Sequence, residues 1–321
     1  MTRVHVWGAS GYAAAEVIRL LHTHPLDIGV LESRSHAGEL LADHFPLLRS
    51  TPYRFERVGS VMEGASAGDV VITAGPEDEA REIVPALLAQ RLRVIDLSAG
   101  YRFDGSAAYG LTEWHRGAIA GAQLVANPGC YPTAALLALL PLASVGNPLR
   151  VVIDAKSGIT GAGRTPRVGS LFAEVSGDVR AYGLNGHRHQ PEIERYARIG
   201  GMETRVTFTP HVVPLARGML VDAYVLFEAP VDAGAVDAAY ARAYHDAPFV
   251  RVLSNGRVPS VAAVVGTNDA ELRIDTDGTL VRAICAIDNL GKGAAGQAVQ
   301  NLNVMLGYPE ESGLGARAVV A

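Results

Sequence analysis

The stretch Val4-His5-Val6-Trp7-Gly8-Ala9-Ser10-Gly11-Tyr12-Ala13-Ala14 decides how the first part of the chain is read. Four strand-forming residues run into a glycine, and from Ala13 to His22 the residues Val17, Ile18, Leu20 and Leu21 fall at helical spacing. Strand, tight glycine turn and helix in that order match a dinucleotide-binding fingerprint. Gly8 and Gly11 occupy its first two glycine places. Ala14 takes the third, where a small side chain lets helix and strand approach closely. Backbone N–H groups around Ser10 and Gly11 are expected to face a pyrophosphate at the helix end.

Outward from there, strand-like and helix-like segments alternate. Residues 28–32, 69–74 and 93–97 read as strands, with a helix over 79–90 and a short strand at Val125-Ala126. Apolar strands separated by helices predict a parallel sheet covered on both faces, with right-handed crossovers. After about residue 149 the texture changes. Segments 204–209, 220–228, 271–275 and 280–288 show partial alternation, which suits a mixed or antiparallel sheet with one wetter face. Helices are expected over 191–198 and 236–245, an amphipathic helix over 293–306, and a loose tail from Glu310. The fold class is therefore α/β, a nucleotide-binding parallel-sheet domain joined to an α+β domain of mixed sheet.

With 321 residues the chain has material for two domains and an ample core. At 49% hydrophobic and 19% charged residues it is globular, not disordered. A formal charge of −5 gives no electrostatic reason to expect nucleic acid or an anionic membrane as partner. Apolar runs fall short of a membrane span. The strand begins almost at Met1, which leaves no room for a signal peptide, and two cysteines make no disulfide framework. A reducing cytoplasm is the expected setting.

Asn127-Pro128-Gly129-Cys130-Tyr131-Pro132-Thr133 is a turn leading into the apolar run 134–140. Pro132 is acceptable in a first helical turn, so Cys130 is placed at a helix start. Unpaired N–H groups and the helix dipole there favour a thiolate, a nucleophile, and the same groups can hold an oxyanion. A small buried structural cysteine is the competing reading. Cys285, inside the apolar stretch 281–288, reads as such a structural thiol.

Strand 28–32 ends in Glu32-Ser33-Arg34-Ser35. Arg34 between two hydroxyls offers a cation for a 2′-phosphate, so NADP is expected over NAD, although Glu32 could bind a ribose hydroxyl. Gly186-His187-Arg188-His189-Gln190-Pro191-Glu192 surrounds a guanidinium with two imidazoles, either of which suits acid/base work. No ligand spacing around the two cysteines supports zinc, and no metal is expected. Ser157-Gly158-Ile159-Thr160-Gly161-Ala162-Gly163-Arg164 is a Gly-rich loop ending in a cation. Arg102 follows the carboxyl end of a strand, where such sheets bind ligands. Arg102 and Arg164 are candidates for anionic substrate groups.

In order along the chain, Gly8–Glu16, Ser33–Gly38, Asp96–Arg102, Asn127–Thr133, Ser157–Arg164, Phe172-Ala173-Glu174-Val175, Gly186–Glu194, Pro210–Leu220 and Asp288–Asn301 resemble the N-acetyl-gamma-glutamyl-phosphate reductase family of arginine biosynthesis. That family lies within the aspartate-semialdehyde-dehydrogenase-like superfamily. The resemblance implies a Rossmann-type NADP-binding domain of residues 1–129 with 289–321, and a catalytic and dimerisation domain of residues 130–288. It implies NADPH-dependent reduction of N-acetyl-γ-glutamyl phosphate to the semialdehyde through a thioester on Cys130, with His187 or His189 as acid/base. Substrate contacts fall to Arg102, Ser157, Arg164 and Arg188, and cofactor contacts to Gly8, Ser10, Gly11, Tyr12, Ser33, Arg34, Ser35, Ser98 and Asn289. A homodimer or homotetramer is expected, with a small acyl phosphate as partner. A lysine-pathway relative acting on amino-adipyl phosphate carried by an acidic protein, and a non-catalytic NADP-binding redox regulator, are the alternatives. Phe172–Val175 looks more like the arginine enzyme. Departures from the family pattern are Ala13-Ala14 in place of Thr-Gly, Gly75-Pro76-Glu77-Asp78-Glu79 in place of Leu-Pro-His-Gly, and Gly100-Tyr101 and Thr112.

Overall fold

The computed structural model describes residues 2–254 and 256–315, so the end of the tail expected to be loose lies outside the described residues. The chain forms two compact units. One comprises the residues up to Pro128 together with the segment from Ala294, and the other Gly129–Gly293.

The first unit is built on β1 (Arg3–Trp7), α1 (Tyr12–Leu21), β2 (Asp27–Glu32), the single turns α2 (Leu41–His44) and α3 (Ser60–Gly64), β3 (Val70–Thr73), α4 (Glu77–Ala89), β4 (Arg93–Asp96), β5 (Ala108–Tyr109), α5 (Thr112–Ala120) and β6 (Leu124–Ala126). Its six strands run in the order β2-β1-β3-β4-β6-β5, and every pairing is parallel. Val70, Val71 and Ile72 are all fully buried, the mark of a strand covered on both faces. The reversal of strand order beside β1 leaves the Gly8–Gly11 loop at the carboxyl edge of the sheet, where open α/β sheets bind ligands.

β1 carries an internal polar lock. His5 is fully buried, and its Nδ1 accepts the Val30 N–H at 3.0 Å. The ring proton must therefore sit on Nε2, which donates to Asp69 Oδ2 at 3.2 Å. Burial pulls His5 below the ordinary histidine value. A Cβ at Gly29 would lie 2.5 Å from that ring, so glycine is required there.

The second unit contains α6 (Cys130–Leu139), β7 (Arg150–Ser157), α7 (Phe172–Val175), β8 (Arg180–Ala181), α8 (His189–Ile199), β9 (Val206–Val212), β10 (Met219–Leu226), α9 (Ala233–Tyr244), β11 (Val250–Val252), α10 (Val261–Val264), β12 (Ala270–Asp277) and β13 (Leu280–Ile287). Its sheet has the order β11-β12-β13-β10-β7-β9-β8. The centre is antiparallel, and β7–β9 and β11–β12 pair in parallel. Met219, Val221, Ala223 and Val225 point to the buried face, where α6 packs, while Asp222 and Tyr224 lie on the wetter one. β7 makes Ser157 a buried strand end, a correction to its sequence reading as part of a flexible loop. The backbone of Arg150–Ser157 is paired on both sides, so it cannot move freely.

α11 (Gly296–Leu306) returns to the first unit, where it packs on α5 and α1. The regular helix begins later than sequence periodicity predicts, because Gly291–Ala295 forms a π-turn. Glu310 also differs from the reading as loose tail. Its side chain accepts from Gln300 Nε2 at 2.9 Å, and its carbonyl accepts from Asn303 Nδ2 at 2.8 Å.

Asn301, fully buried on α11, donates to the Gly110 carbonyl at 2.9 Å and to Asn127 Oδ1 at 3.0 Å, and accepts the Thr112 hydroxyl at 2.7 Å. Gln297 Nε2 donates to the same hydroxyl at 2.7 Å. Thr112, a departure from the family pattern, is thus the junction between α5 and α11. Replacing Asn301 with Ala strands several buried polar groups, each costing about 1–3 kcal/mol. Urea unfolding of Asn301→Ala is expected to show a loss of about 2–4 kcal/mol. A loss within error would mean that this network does not hold the returning helix.

Candidate active site

In the second unit Cys130 is the first residue of α6, with Gly129 as N-cap. No side-chain hydrogen bond caps this end and no acid lies in its first turn to offset the positive dipole end, which favours a thiolate. Cys130 is half-buried, whereas Cys285 is fully buried in β13. Gly129 is held from outside the helix. Its N–H donates at 2.9 Å to Glu192 Oε1, a carboxylate only 1% exposed on α8. The π-turn closes in from another side, since a Cβ at Gly293 would lie 2.9 Å from Cys130 Cβ.

α8 starts at His189, two residues beyond His187, so both imidazoles enter the same region. Their ring centroids lie 4.9 Å apart, and each is 5.8 Å from the Tyr131 ring. Phe208 and Tyr182 complete an aromatic wall around His187. His187 Nδ1 accepts the His189 N–H at 3.2 Å, and burial, followed by the charge of Arg188, lowers its pKa. His187 is therefore neutral near pH 7 with its proton on Nε2. The Tyr131 hydroxyl receives the Tyr182 hydroxyl at 3.2 Å and donates to the His211 carbonyl at 3.3 Å; burial raises its pKa, so it stays protonated. Arg188 is exposed. Ser157 Oγ donates to the Gly158 carbonyl at 3.0 Å, and Arg164 follows the short turn Ile159–Ala162.

Asn289 is buried with both ends of its amide occupied. Oδ1 accepts the Gly218 N–H at 2.7 Å, and Nδ2 donates to Thr160 Oγ1 at 3.0 Å. It ties the loop after β7 to the loop before β10. Beside it Arg217 meets the fully buried Asp288 at 2.7 Å.

In the first unit the Gly-rich turn has the shape its sequence requires. Gly8 has φ +79°, and a Cβ there would come within 2.8 Å of the Gly75 nitrogen. Gly11 caps α1 with open space around it, again with no capping side chain and no acid in the first turn. α4 is the opposite case, because Glu77, Asp78 and Glu79 already complement its N-terminus. An anionic cofactor group is therefore favoured at α1 and disfavoured at α4. Ser10 lies half-buried in this turn, and the Tyr12 side chain stands partly exposed at the helix start.

Glu32 is buried, and its carboxylate accepts the Val61 N–H at 2.9 Å. That contact engages one of its two oxygens, so Glu32 is not wholly available to a ribose hydroxyl. Ser33 is buried and Ser35 exposed, while Arg34 is forked onto Glu79 at 2.8 and 3.0 Å. Ser98 is turned onto Asp96, which accepts its hydroxyl at 2.7 Å. Arg102 is buried, and its guanidinium donates to the Asn127 and Leu97 carbonyls, each at 2.9 Å.

Sequence reasoning singled out Cys130, His187 and His189, and the structure brings all three against α6, α8 and Tyr131. It overlooked Glu192 as a clamp, Tyr182 and Phe208 as wall, and the fully buried Lys292, whose ammonium lies 5.9 Å from the Phe249 ring centroid. The signal for Glu192 was its place three residues into a helix that begins at a histidine.

A family model described as the NAD binding domain of semialdehyde dehydrogenase matches residues 3–122, and one described as its dimerisation domain matches 130–289. Among similar solved structures, aspartate semialdehyde dehydrogenase II from Vibrio cholerae, complexed with ASA, superposes with a TM-score of 0.77 at 18% identity, covering 95% of this chain and 98% of that one. Aspartate semialdehyde dehydrogenase with NADP from Candida albicans has a TM-score of 0.72 at 16% identity, with the same coverage. At these identities the likeness establishes the fold. Relatives named N-acetyl-gamma-glutamyl-phosphate reductase from Desulfotalea psychrophila and Geobacter sulfurreducens are each 41% identical, over 98% and 100% of both chains respectively. With both family models matched in order and full-length relatives at this identity, the chain belongs to the semialdehyde dehydrogenase family, among its N-acetyl-gamma-glutamyl-phosphate reductases.

Proposed function

We propose that this protein reduces N-acetyl-γ-glutamyl phosphate to the semialdehyde with NADPH, releasing phosphate, and that Cys130 is the nucleophile. The carrying observation is the uncapped first turn of α6 with its preceding peptide clamped by Glu192. The Cys130 thiolate attacks the acyl carbon, the C–O bond to phosphate breaks, and a thioester remains. The positive dipole end of α6 is suited to the oxyanion formed in that attack. When bound, NADPH supplies the hydride that reduces the thioester carbon. The resulting thiohemiacetal oxyanion re-forms its C=O bond as the C–S bond breaks, which regenerates the Cys130 thiolate and releases the aldehyde.

We assign acid/base work to His189. His187 has its Nδ1 occupied by the His189 N–H and holds the turn, whereas His189 starts the helix whose Glu192 fixes Gly129. Arg102, Ser157, Arg164 and Arg188 are proposed for the substrate and its phosphate. Among them Arg102 would have to share a guanidinium already engaged by two carbonyls. Gly8, Ser10, Gly11 and Tyr12 are proposed for the pyrophosphate end of NADP, Ser33, Arg34 and Ser35 for its 2′-phosphate, and Ser98 for a lesser contact. Asn289 supports the site indirectly, through the two loops it ties. Residues 130–288 form the catalytic and dimerisation part under this reading, and two or four copies assemble through it, in keeping with the dimerisation-domain match. No described helix is long and apolar enough to cross a membrane. A working thiol is best kept in a reducing cytoplasm, which is where we place the enzyme.

Cys130→Ser should abolish turnover while NADPH titration is unchanged. In the native protein, limited iodoacetamide is expected to label Cys130 before Cys285, with activity falling in step. Peptide mapping that found Cys285 modified first, or a fully active Cys130→Ser, would remove the thioester route.

The Arg34–Glu79 fork yields a prediction in two directions. Arg34→Ala should weaken NADP by about 1.5–3 kcal/mol, the range for a hydrogen bond to a charged group, and leave NAD nearly untouched. Glu79→Gln removes the competitor for that guanidinium and should tighten NADP by up to about 1 kcal/mol, since the pair is exposed. Equal effects on both dinucleotides would show that Arg34 does not read the 2′-phosphate.

A further inference from the structure

Beyond the reduction chemistry, the loop between β2 and α3 gathers two imidazoles and a carboxylate that neither the reaction nor the core uses. His36 Nδ1 lies 3.3 Å from Glu39 Oε2, and His44 Nε2 approaches the same oxygen. The three ligand atoms all fall within 4.8 Å of one another, and the two imidazole rings sit 4.0 Å apart, centroid to centroid. Donor atoms bound to a tetrahedral ion at about 2.0–2.1 Å lie about 3.3–3.4 Å apart, which matches the His36–Glu39 spacing.

The backbone beneath them is held in place. Gly38, at φ +87°, allows a tight turn in which the Glu39 N–H donates to the His36 carbonyl at 3.0 Å. From there the loop pairs with the segment around Phe55. The Gly38 N–H donates to the Phe55 carbonyl at 2.8 Å, the Phe55 N–H to the Glu39 carbonyl at 3.0 Å, and the Leu41 N–H to the Tyr53 carbonyl at 3.0 Å. Arg54 Nη1 adds a contact to the Gly38 carbonyl at 2.9 Å. His44 ends α2, so its position follows from the same pinning. Phe55, buried, lies 5.7 Å from the His36 ring and 5.6 Å from that of His44, and shields one side. Glu39 is half-exposed, which leaves an approach for an ion and room for a water as fourth ligand.

We propose that His36, Glu39 and His44 form a binding site for one divalent transition-metal ion of the zinc class. Two neutral imidazoles and one carboxylate match the ligand preference of zinc and its neighbours, not that of magnesium or calcium, which take mostly oxygen. The ligands span only nine residues of one loop, so the ion stiffens that loop and supplies no part of the reduction. The site stands whether or not the cofactor reading above is right.

Zinc chloride titrated calorimetrically into the full-length, chelator-treated protein should show one ion bound per chain. His36→Ala, His44→Ala and Glu39→Gln should each weaken that binding by at least about tenfold. Glu39→Gln, conservative and on the surface, decides the matter if either histidine variant misfolds. Cobalt(II) in place of zinc should give a visible ligand-field spectrum with no thiolate charge-transfer band. Absence of binding in the wild type, undiminished binding in Glu39→Gln, or a thiolate band placing the metal at a cysteine would each overturn the proposal.

Discussion

The hydrogen bond from the Gly129 N–H to buried Glu192 is the contact on which the proposed reactive centre depends. A cysteine at a helix start gains nucleophilicity only if that start is held open and still, because the favourable N–H groups belong to a few peptides at the helix end. α6 cannot supply the restraint itself. Its residues from Tyr131 to Leu139 are buried and apolar apart from Tyr131 and Thr133, and Thr133 bonds back onto the Gly129 carbonyl. The restraint comes from α8, sixty residues on, and the same helix opens with His189, the histidine proposed for acid/base work. One helix therefore both holds the peptide before Cys130 and carries that histidine. A carboxylate this deep is costly to bury, and the contact with a backbone N–H offsets part of that cost.

The nucleotide-binding unit follows a different rule, in which close backbone approach decides identity. Gly8 approaches Gly75, and Gly75 in turn has the Trp7 ring where a Cβ would stand, 2.3 Å away. Two loops at the carboxyl edge of the sheet are thereby held close by backbone packing. The departure Gly75-Pro76-Glu77-Asp78-Glu79 is compatible with this, since glycine meets the steric need and Pro76 opens α4 as its N-cap. Its three acids change the electrostatics and leave α1 as the helix end prepared for phosphate.

Much of this was legible in the sequence, for physical reasons. Period-two and period-3.6 apolar patterns report burial directly, and they located the strands at 28–32, 93–97 and 280–288 and the helices at 13–22 and 236–245 to within three residues. The Gly-rich turn and the Pro-Gly-Cys turn were visible because backbone geometry restricts those positions to very few residue types. β7 was missed because it lies between a Pro-containing turn and the Gly-rich loop that drew attention to Ser157. The short pairs β5 and β8 carry too few residues for any period to show. Arg102 illustrates a deeper limit. Its position after a strand was readable, but not that two backbone carbonyls would occupy it.

The histidines show what structure adds to a motif. From the sequence, His187 and His189 are equivalent, two imidazoles flanking one arginine. In the fold, one backbone N–H separates them, because it lands on His187 Nδ1 and fixes that ring's proton on Nε2. Burial and the neighbouring Arg188 charge both disfavour His187 as an imidazolium. A ring held in one tautomer, with its basic nitrogen engaged, is suited to positioning, which supports the proposal that His189 handles the proton. The same logic applies to Tyr131, whose burial keeps its hydroxyl protonated and therefore able to orient neighbours without itself titrating. Beside Cys130, the Tyr131 hydroxyl and the His187 ring thus have their protons placed by hydrogen-bonding neighbours.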